Sequence, residues 1–290
     1  MDLEKNYDAI ICVAQKDIWN LENVIKRVLA NSGCRRVKVI SNAKPENINA
    51  DYDYINENEV LEGLSFKAIE EYFNARKVKP SRVGWYLQQF LKMAYCYKSK
   101  YDNYLLWDAD TLMLKTIKFF DEEGRLYLDN SRIFENKIFN DTVLKVLGYP
   151  KERKETYITE HMMIDKICME KLLETIASKH NCEIKDFWRK ILDCLNDDEL
   201  IYGGFSEFEV IGTFMEKEFS QKIRFRPLKS RRNIANVIGN HINKYDIKYF
   251  TKKYDFVTFE KAHKVQSIKL KQMFNKVKHF MYSVILAKNN

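Results

Sequence analysis

The chain has few of the residues that interrupt regular structure and none of the spacing patterns that mark a disulfide framework. Its 290 residues include only 4 prolines and 9 glycines, and we find neither an internal repeat nor a low-complexity linker. The six cysteines are widely scattered, with no CxxC pair and no metal-type spacing. They indicate free thiols in a reducing cytoplasm.

No stretch of the sequence approaches the roughly 18 to 20 uncharged apolar residues that a membrane-spanning helix needs. The first residues, Met-Asp-Leu-Glu-Lys-Asn, lack the charged and apolar regions of a signal peptide. We therefore expect a cytoplasmic protein with neither export nor a membrane span. Hydrophobic residues make up 46% of the chain and charged residues 31%, which is typical of a soluble protein with a sizeable core.

Positive charge is concentrated at one end of the chain. The formal net charge is +8, but the last thirty residues hold seven lysines and no acidic residue, which leaves +1 for the rest. Because the charge is not spread over the folded part and no nucleic-acid-binding motif appears, we expect no nucleic-acid partner. We divide the chain into a domain of residues 1–260 and a basic amphipathic helix of residues 261–290.

The basic C-terminal segment carries apolar residues at helical spacing from Val265 to Ile285, with lysines between them. Such a helix can lie at the surface of an anionic membrane, where each nearby cation adds about 1 kcal/mol of attraction. Docking on the protein's own core is the alternative. We predict peripheral contact with the inner face of the plasma membrane.

The N-terminal pattern predicts a β-α-β unit. Tyr7 to Val13 is rich in Ile, Val and Cys, as a strand buried on both faces should be. A helix from about Leu21 to Ala30 has its apolar residues on one side and Gly33 as its stop. Arg36 to Ile40 predicts a second strand, so this part is typical of the parallel, nucleotide-binding half of an α/β fold.

Further periodic segments follow. Helices are predicted for Ser81 to Tyr97, Met162 to Ile176, Phe187 to Leu195 and Ser206 to Phe214, and a basic strand for Ile223 to Leu228. In the first of these helices the polar face carries Arg82, Trp85, Gln88, Gln89 and Lys92. This face is either a solvated surface, which is the more frequent case, or the lining of a polar ligand cleft.

The most informative stretch is the apolar run Tyr104 to Leu114, which is broken at its centre by Asp108 and Asp110. An extended strand that enters a tight turn would aim both carboxylates at one hard cation while its flanks stay in the core. Mg²⁺ takes only one or two protein carboxylates, so two aspartates are enough. The alternative is a pair of aspartates that merely ends a strand.

Four sequence blocks in order carry a resemblance to a known family. They are the strand ending near Lys16-Asp17, the segment Gly84 to Lys92, the segment Leu106 to Thr111, and the pair Ile158 to Met163 and Phe205 to Glu209. Together they resemble a family of bacterial GT-A-like glycosyltransferases found among surface-polysaccharide genes and largely catalogued as a domain of unknown function. The resemblance covers roughly residues 5–260.

The resemblance implies an α/β fold of the GT-A-like kind: a mixed, mostly parallel sheet flanked by helices, here with a C-terminal helical extension. It also implies Mn²⁺ or Mg²⁺, a nucleotide-sugar donor with UDP as the default, and a glycan or lipid-linked acceptor in capsule or lipopolysaccharide synthesis. Asp108 and Asp110 would bind the metal, and we count Asp110 among the catalytic residues as well. The residues implied to border the donor are Gln88, Gln89, Lys92, Trp107 and Asp108.

An inverting transferase also needs a carboxylate that takes the proton of the acceptor hydroxyl. Glu207 is the first choice, because the preceding residues resemble a loop that enters a helix with Ser206 as cap. Glu209 would point about 200° away on that helix. A purely structural Glu207 at the helix N-terminus is the alternative.

Two histidines are further candidates. His161 could contact the acceptor or the metal, although a lone histidine before an apolar run is more often structural. His241 is a candidate third metal ligand, since imidazole suits Mn²⁺. Five cations could offset donor phosphates or form a solvated surface, which we favour for most of them: Lys222, Arg224, Arg226, Arg231 and Arg232.

Two other functions compete with sugar transfer. A haloacid-dehalogenase-type phosphatase would use Asp108 as nucleophile and Asp110 as general acid. Against it, Leu112 stands where Thr or Val is usual, and the motif arrives after about a hundred residues instead of on the first strand. A non-catalytic sugar-nucleotide-binding protein is the second alternative.

Overall fold

The computed structural model describes residues 6–239 and 242–259, together with Val277, Phe280 and Met281. The strands are β1 (Tyr7–Cys12), β2 (Val37–Ser41), β3 (Asp53–Asn56), β4 (Asn103–Trp107), β5 (Thr111–Met113), β6 (Leu126–Asp129), β7 (His161–Asp165), β8 (Ile223–Arg226), β9 (Ser230–Arg231) and β10 (Phe256–Thr258). The helices are α1 (Leu21–Asn31), α2 (Phe66–Ala75), α3 (Val83–Ala94), α4 (Lys137–Leu147), α5 (Lys166–Lys179), α6 (Phe187–Asp193), α7 (Asp197–Tyr202), α8 (Glu207–Glu218), α9 (Ala235–Ile238) and α10 (Lys244–Thr251).

The largest sheet within the described ranges has five strands in the order β3-β2-β1-β4-β7. Its first four strands are parallel, and β7 runs antiparallel to β4 at the edge. The same part of the chain forms two smaller sheets, β5-β10-β9 and β6-β8. The predicted α/β fold, with a mixed and mostly parallel sheet flanked by helices, is confirmed.

The predicted β-α-β unit at the N-terminus is confirmed. Every residue of β1 is buried, because neighbouring strands and covering helices enclose a parallel strand on both faces. Helix α1 buries Leu21, Val24, Ile25 and Val28 on one side. The chain leaves the helix through Gly33, whose φ of +78° lies in the left-handed region that favours glycine.

The helix predicted from Met162 to Ile176 is wrong in its first part. Residues His161–Asp165 form β7, which pairs with β4 and is buried up to Ile164. The helix α5 begins only after Asp165, whose side chain accepts the N–H of Cys168 as an N-cap. A short apolar run in front of a helix has no period that separates strand from helix, so the pattern merged the two.

The topology places the carboxyl ends of β1, β2, β3 and β4 at one edge of the sheet, because these four strands are parallel. Helix α3 packs against β1 and against α8. The amino end of α8 and the turn after β4 thereby come together at this edge. This is the position at which open α/β sheets bind their ligands.

The C-terminal segment of residues 261–290 lies outside the described residues, except for Val277, Phe280 and Met281. Its division from residues 1–260 stays a prediction. No helix in the part of the chain that the structure describes is both long enough and apolar enough to cross a bilayer.

Candidate functional site

The two aspartates lie in a tight turn between β4 and β5, which we call the aspartate turn (residues 108–110). The N–H of Thr111 donates to the carbonyl of Asp108 at 3.1 Å and closes the turn. On the core side of the turn, the indole N–H of the buried Trp107 donates to the carbonyl of Thr111 at 2.7 Å. Both aspartate side chains are half-buried at the surface of the core. The predicted strand that enters a tight turn is therefore present.

A buried lysine holds the first aspartate. The ammonium of Lys92 lies 2.6 Å from Oδ1 of Asp108 and 2.7 Å from Oε1 of Glu207. Only 4% of the Lys92 side chain and 5% of the Glu207 side chain are exposed, against 23% for Asp108. The three side chains form one charged cluster with its open end at the aspartate turn.

The protonation states in this cluster follow from its charges. Burial alone would lower the pKa of Lys92, but the carboxylates of Asp108 and Glu207 outweigh it and raise the pKa well above its usual value. Burial raises the pKa of Glu207, and the adjacent Lys92 ammonium opposes that rise. Lys92 is therefore charged throughout the physiological pH range and can fix Asp108 in place.

Two residues on the polar face of α3 that were expected to border the sugar-nucleotide donor, Gln89 and Lys92, point into the protein interior. Gln89 is buried, and its amide oxygen accepts the N–H of Glu207 at 3.0 Å. Lys92 is also buried, whereas Gln88 is half-buried. Ser206, the predicted cap of α8, makes no side-chain capping bond to any residue within the described ranges. The side chain of Gln89 in α3 instead accepts a backbone N–H at the amino end of α8.

Glu209 belongs to a different cluster on the other side of α8. Its carboxylate lies 2.7 Å from the ammonium of Lys151 and accepts the hydroxyl of Thr156. Glu207 faces Lys92, so the two glutamates do not share a task. This agrees with their predicted angular separation on the helix.

Glu160 supports the aspartate turn from its other flank. Its carbonyl accepts the N–H of Asp108 at 3.0 Å. Its buried carboxylate accepts hydrogen bonds from both terminal nitrogens of Arg132, at 2.8 and 2.7 Å, and forms an ion pair with Arg232, whose Nε lies 2.9 Å away. Burial raises the pKa of Glu160, and Arg132 opposes that rise. We call these three side chains the Glu160 cluster.

His161 lies inside the core beside Trp107. Its Nδ1 is 2.8 Å from the carbonyl of Thr159, and its ring packs at 5.2 Å from Trp107 and 5.1 Å from Phe256, measured between ring centroids. Burial lowers the pKa of His161 to about 4. A neutral, buried histidine with these contacts fits the structural alternative.

Sequence reasoning missed several residues around the turn. Arg132 lies in an irregular stretch with no period, and nothing in the sequence connects it to Glu160, 28 positions later. Cys12 ends the neighbouring strand β1 and is buried close enough to feel the charges of Lys92, Asp108 and Glu207. Burial is the main reason why the pKa of the Cys12 thiol rises to about 12. A thiol at the last residue of the first strand was the only sequence signal for it.

The donor set of the aspartate turn fits a hard cation. Asp108 and Asp110 supply carboxylate oxygens, and Mg²⁺ or Mn²⁺ commonly completes such a set with water and phosphate oxygens. Within 6–239 and 242–259, no three His, Cys, Asp or Glu side chains are grouped so that they could hold a metal. His241, the predicted third ligand, lies outside the described residues.

Comparisons with known proteins gave structural similarity alone. No protein-family model matches the chain, and no curated protein matches it. The galactosyltransferase LgtC in complex with donor and acceptor sugar analogs is similar at a TM-score of 0.44 and 10% identity, over 93% of this chain and 94% of that one. An active-site mutant of LgtC gives 0.42 and 11% over 95% of each chain.

A second glycosyltransferase structure is similar to this chain. The apo structure of the bifunctional glycosyltransferase WbbM is similar at a TM-score of 0.45 and 11% identity, over 97% of this chain. The chain spans about half of WbbM, 52% of its length.

Proposed function

We propose that the protein is a metal-dependent glycosyltransferase of the GT-A-like kind. It would move a sugar from a nucleotide-sugar donor, with a UDP-sugar as the first choice, to a glycan or lipid-linked acceptor of capsule or lipopolysaccharide synthesis. One observation carries the proposal: two aspartates stand on a tight turn at the carboxyl end of a central parallel strand, and the buried Lys92 holds Asp108. Ligands of α/β sheets bind at this edge.

The reaction breaks the bond between the anomeric carbon and the diphosphate oxygen and forms a bond from that carbon to the acceptor oxygen. The acceptor hydroxyl loses its proton, and the diphosphate leaves with the negative charge. Mn²⁺ or Mg²⁺ held by Asp108 and Asp110 would neutralise that charge as a Lewis acid. Lys92 orients Asp108, and the buried Trp107 supports the turn from below, so the protein holds the diphosphate end of the donor in position.

Glu207 is our proposed proton acceptor. Its burial raises its pKa above the usual value for a glutamate, which is the direction that improves a carboxylate as a general base. Its contact with Lys92 supports a second role, in which Glu207 acts on Asp108 through the ammonium. The pH profile of kcat/KM separates the two: a proton acceptor produces an acid limb that the residual activity of Glu207→Gln lacks, whereas a positioning residue leaves the limb unchanged.

Binding and turnover with a panel of UDP-sugars, with and without Mn²⁺, test the proposal. We expect the wild type to bind the nucleotide only when the metal is present. Asp108→Asn and Asp110→Asn should lose this metal-dependent binding. Asp102→Asn is the matched control, because Asp102 precedes the same strand β4 at its opposite end and is exposed. Metal-independent binding that Asp108→Asn leaves intact would contradict the proposal. Phosphate release from small phosphoesters would favour the phosphatase.

We also propose that the basic C-terminal segment attaches the enzyme to anionic membranes. The described residues Val277, Phe280 and Met281 are helical, spaced on one face, and 54%, 60% and 57% exposed. Exposed apolar residues on one helical face, in a segment whose sequence also carries seven lysines, fit the interface of an anionic membrane, where a lipid-linked acceptor would lie.

Flotation with vesicles tests this attachment. The full chain should float with vesicles that contain anionic lipid and stay behind with neutral vesicles, and a chain truncated before Lys261 should stay behind with both. Equal flotation of the full and truncated chains with anionic vesicles would refute it.

A further inference from the structure

We propose that Trp85 and Tyr202 form a surface on which a sugar ring of the acceptor stacks. We call these two side chains the aromatic platform. A pyranose ring carries C–H groups on its faces, and the negative face of an aromatic ring attracts them. The inference rests on the proposed sugar transfer and names the place where the acceptor binds.

Trp85 lies on the face of α3 that also carries Lys92. About two helical turns separate these residues, so their side chains leave the helix in nearly the same direction, about 10 Å apart along its axis. A short connection leads from the end of α3 to the start of β4, so the amino end of α3 lies toward the edge at which β4 ends. Trp85 is therefore farther out than Lys92 at the ligand-binding edge of the sheet.

The segment that carries Tyr202 is anchored to the same helix. The hydroxyl of Tyr86 in α3 donates to the carbonyl of Glu199 at 3.1 Å and accepts the N–H of Gly204 at 3.2 Å. Tyr86 is buried, so these bonds lie beneath the surface. They hold the end of α7 and the following loop against the amino half of α3.

Gly203 lets this loop lie directly against the indole ring of Trp85. A Cβ built on Gly203 would lie 3.1 Å from Cζ3 and 3.2 Å from Cη2 of that ring, which is closer than side chains usually approach. The adjacent Tyr202 is 75% exposed, and Trp85 is half-buried. Two large aromatic side chains therefore reach the surface beside one close contact.

The platform is connected to the proposed proton acceptor along both elements. The loop that contains Gly203 leads into α8, whose first residue is Glu207. On the other element, Lys92 contacts the carboxylate of Glu207 at 2.7 Å. A glycan that stacks on the platform can therefore extend along α3 toward the carboxylate that would accept the proton of its hydroxyl.

Polar groups beside the platform suit sugar hydroxyls. Gln88 is half-buried between Trp85 and Lys92 on α3, and its amide makes no hydrogen bond to any other residue that the structure describes. The guanidinium carbon of the half-buried Arg82 lies 6.0 Å from the centre of the Trp85 ring. Aromatic rings with a few polar groups are typical of small-ligand sites, whereas membrane and protein contacts use larger continuous apolar patches.

The test measures the affinity of the full chain for lactose, maltose and chitobiose by saturation-transfer NMR in EDTA. We expect the wild type to bind at least one of them, and Trp85→Ala and Tyr202→Ala to bind it about tenfold more weakly, because stacking is lost. Trp85→Phe should retain part of the affinity, since an aromatic face remains. Tyr97→Ala is the matched control: Tyr97 is 39% exposed and follows the opposite end of α3, so affinity should stay within about twofold.

Three results overturn the platform: no binding of any of the three sugars to the wild type, wild-type affinity in Tyr202→Ala, or an equal loss in Tyr97→Ala. Thermal unfolding of each variant shows whether it is folded. Tyr202→Ala decides the matter even if Trp85→Ala is unstable, because the mostly exposed Tyr202 contributes little to the core.

Two further measurements assign the ligand. Unchanged affinity for UDP with Mn²⁺ in Tyr202→Ala supports an acceptor sugar, whereas a loss of UDP affinity equal to the loss of sugar affinity assigns the platform to the donor and overturns the inference. Weaker flotation of Tyr202→Ala with anionic vesicles, together with normal sugar binding, assigns it to a membrane and overturns the inference as well.

The platform and the proposed function fail in different ways. If metal-dependent UDP binding needs Asp108 but the sugars bind equally to wild type and Tyr202→Ala, the platform is wrong and sugar transfer stands. If the sugars need Tyr202 but no UDP-sugar binds or turns over, the platform stands as a sugar-binding site and sugar transfer is wrong.

Discussion

The ammonium of Lys92 lies 2.7 Å from the Glu207 carboxylate, and both side chains are almost completely buried between α3 and α8. Breaking such a pair leaves an uncompensated charge in the core. We expect Lys92→Met to lower the free energy of unfolding by about 3 to 5 kcal/mol. Urea denaturation measures the change.

The control for this pair is the exposed pair between Lys26 and Glu22, whose ammonium and carboxylate are 2.5 Å apart. Lys26→Met should lower the free energy of unfolding far less than Lys92→Met, because water solvates the carboxylate that remains. The double variant Lys92→Met/Glu207→Leu should be more stable than Lys92→Met alone, since the fully buried carboxylate is gone and only the half-buried Asp108 lacks its lysine partner. A Lys92→Met protein as stable as the wild type would show that the pair does not behave as buried.

Metal binding to the aspartate turn should depend on the nucleotide. Two protein carboxylates form only part of a coordination shell, and diphosphate oxygens would complete it. We expect Mn²⁺ together with UDP to raise Tm by roughly 5 °C when UDP is at about 100 times its Kd. Neither component alone should do so. Asp110→Asn should lose the joint effect, and a joint rise that persists in this variant would place the cation elsewhere.

Gly212 allows α8 to pack directly against the ring of Tyr157. A Cβ built on Gly212 would lie 2.2 Å from Cγ of that ring, which is fully buried and anchored through its hydroxyl to Glu216. Gly212→Ala should therefore lower the free energy of unfolding by about 1 to 3 kcal/mol or more. Equilibrium denaturation in urea would detect this.

Gly84 provides the comparison within a second helix. A Cβ there would meet only Cε2 of Phe66 at 3.8 Å, which is an ordinary contact. Gly84→Ala should leave stability unchanged or raise it by up to about 1 kcal/mol, because alanine favours the helix. Equal destabilisation by both alanines would mean that packing against Tyr157 is not the cause.

His161 should make the protein sensitive to acid. Its pKa is about 4 in the folded protein because burial disfavours the charged ring, against 6.5 in an ordinary environment. Its contribution to stability is complete above pH 6.5 and is lost as pH falls toward 4, since protons then bind the unfolded chain first. At 1.36 kcal/mol per pH unit, the free energy of unfolding should fall by about 3 kcal/mol over this range.

The pH dependence can be assigned with His161→Asn, whose amide can replace the contact to the carbonyl of Thr159. Its stability between pH 6.5 and 4 should change less steeply than that of the wild type, whatever its stability at neutral pH. Identical slopes in the two proteins would assign the acid sensitivity to other groups.

Local sequence patterns predicted the strands, the helices and the aspartate turn, but not the buried polar and charged contacts that support the turn. The apolar runs of β1 and β4 and the 3.6-residue period of α1 are properties of short segments, so these elements and the aspartate turn were predictable. The inward direction of Gln89 and Lys92 was not, because a polar helix face is usually solvated and its partner Glu207 lies more than a hundred residues away. The Glu160 cluster likewise joins residues far apart in sequence.

Cys12 is the last residue of β1, at the sheet edge that carries the aspartate turn. It is fully buried near the charges of Lys92, Asp108 and Glu207. Alkylating reagents react with the thiolate. Because the pKa of Cys12 is about 12 and the residue is buried, little thiolate forms and reagents cannot reach it. Reaction at Cys12 consequently requires the end of β1 to separate from its neighbours. The rate at which Cys12 is alkylated therefore measures how often the end of β1 opens.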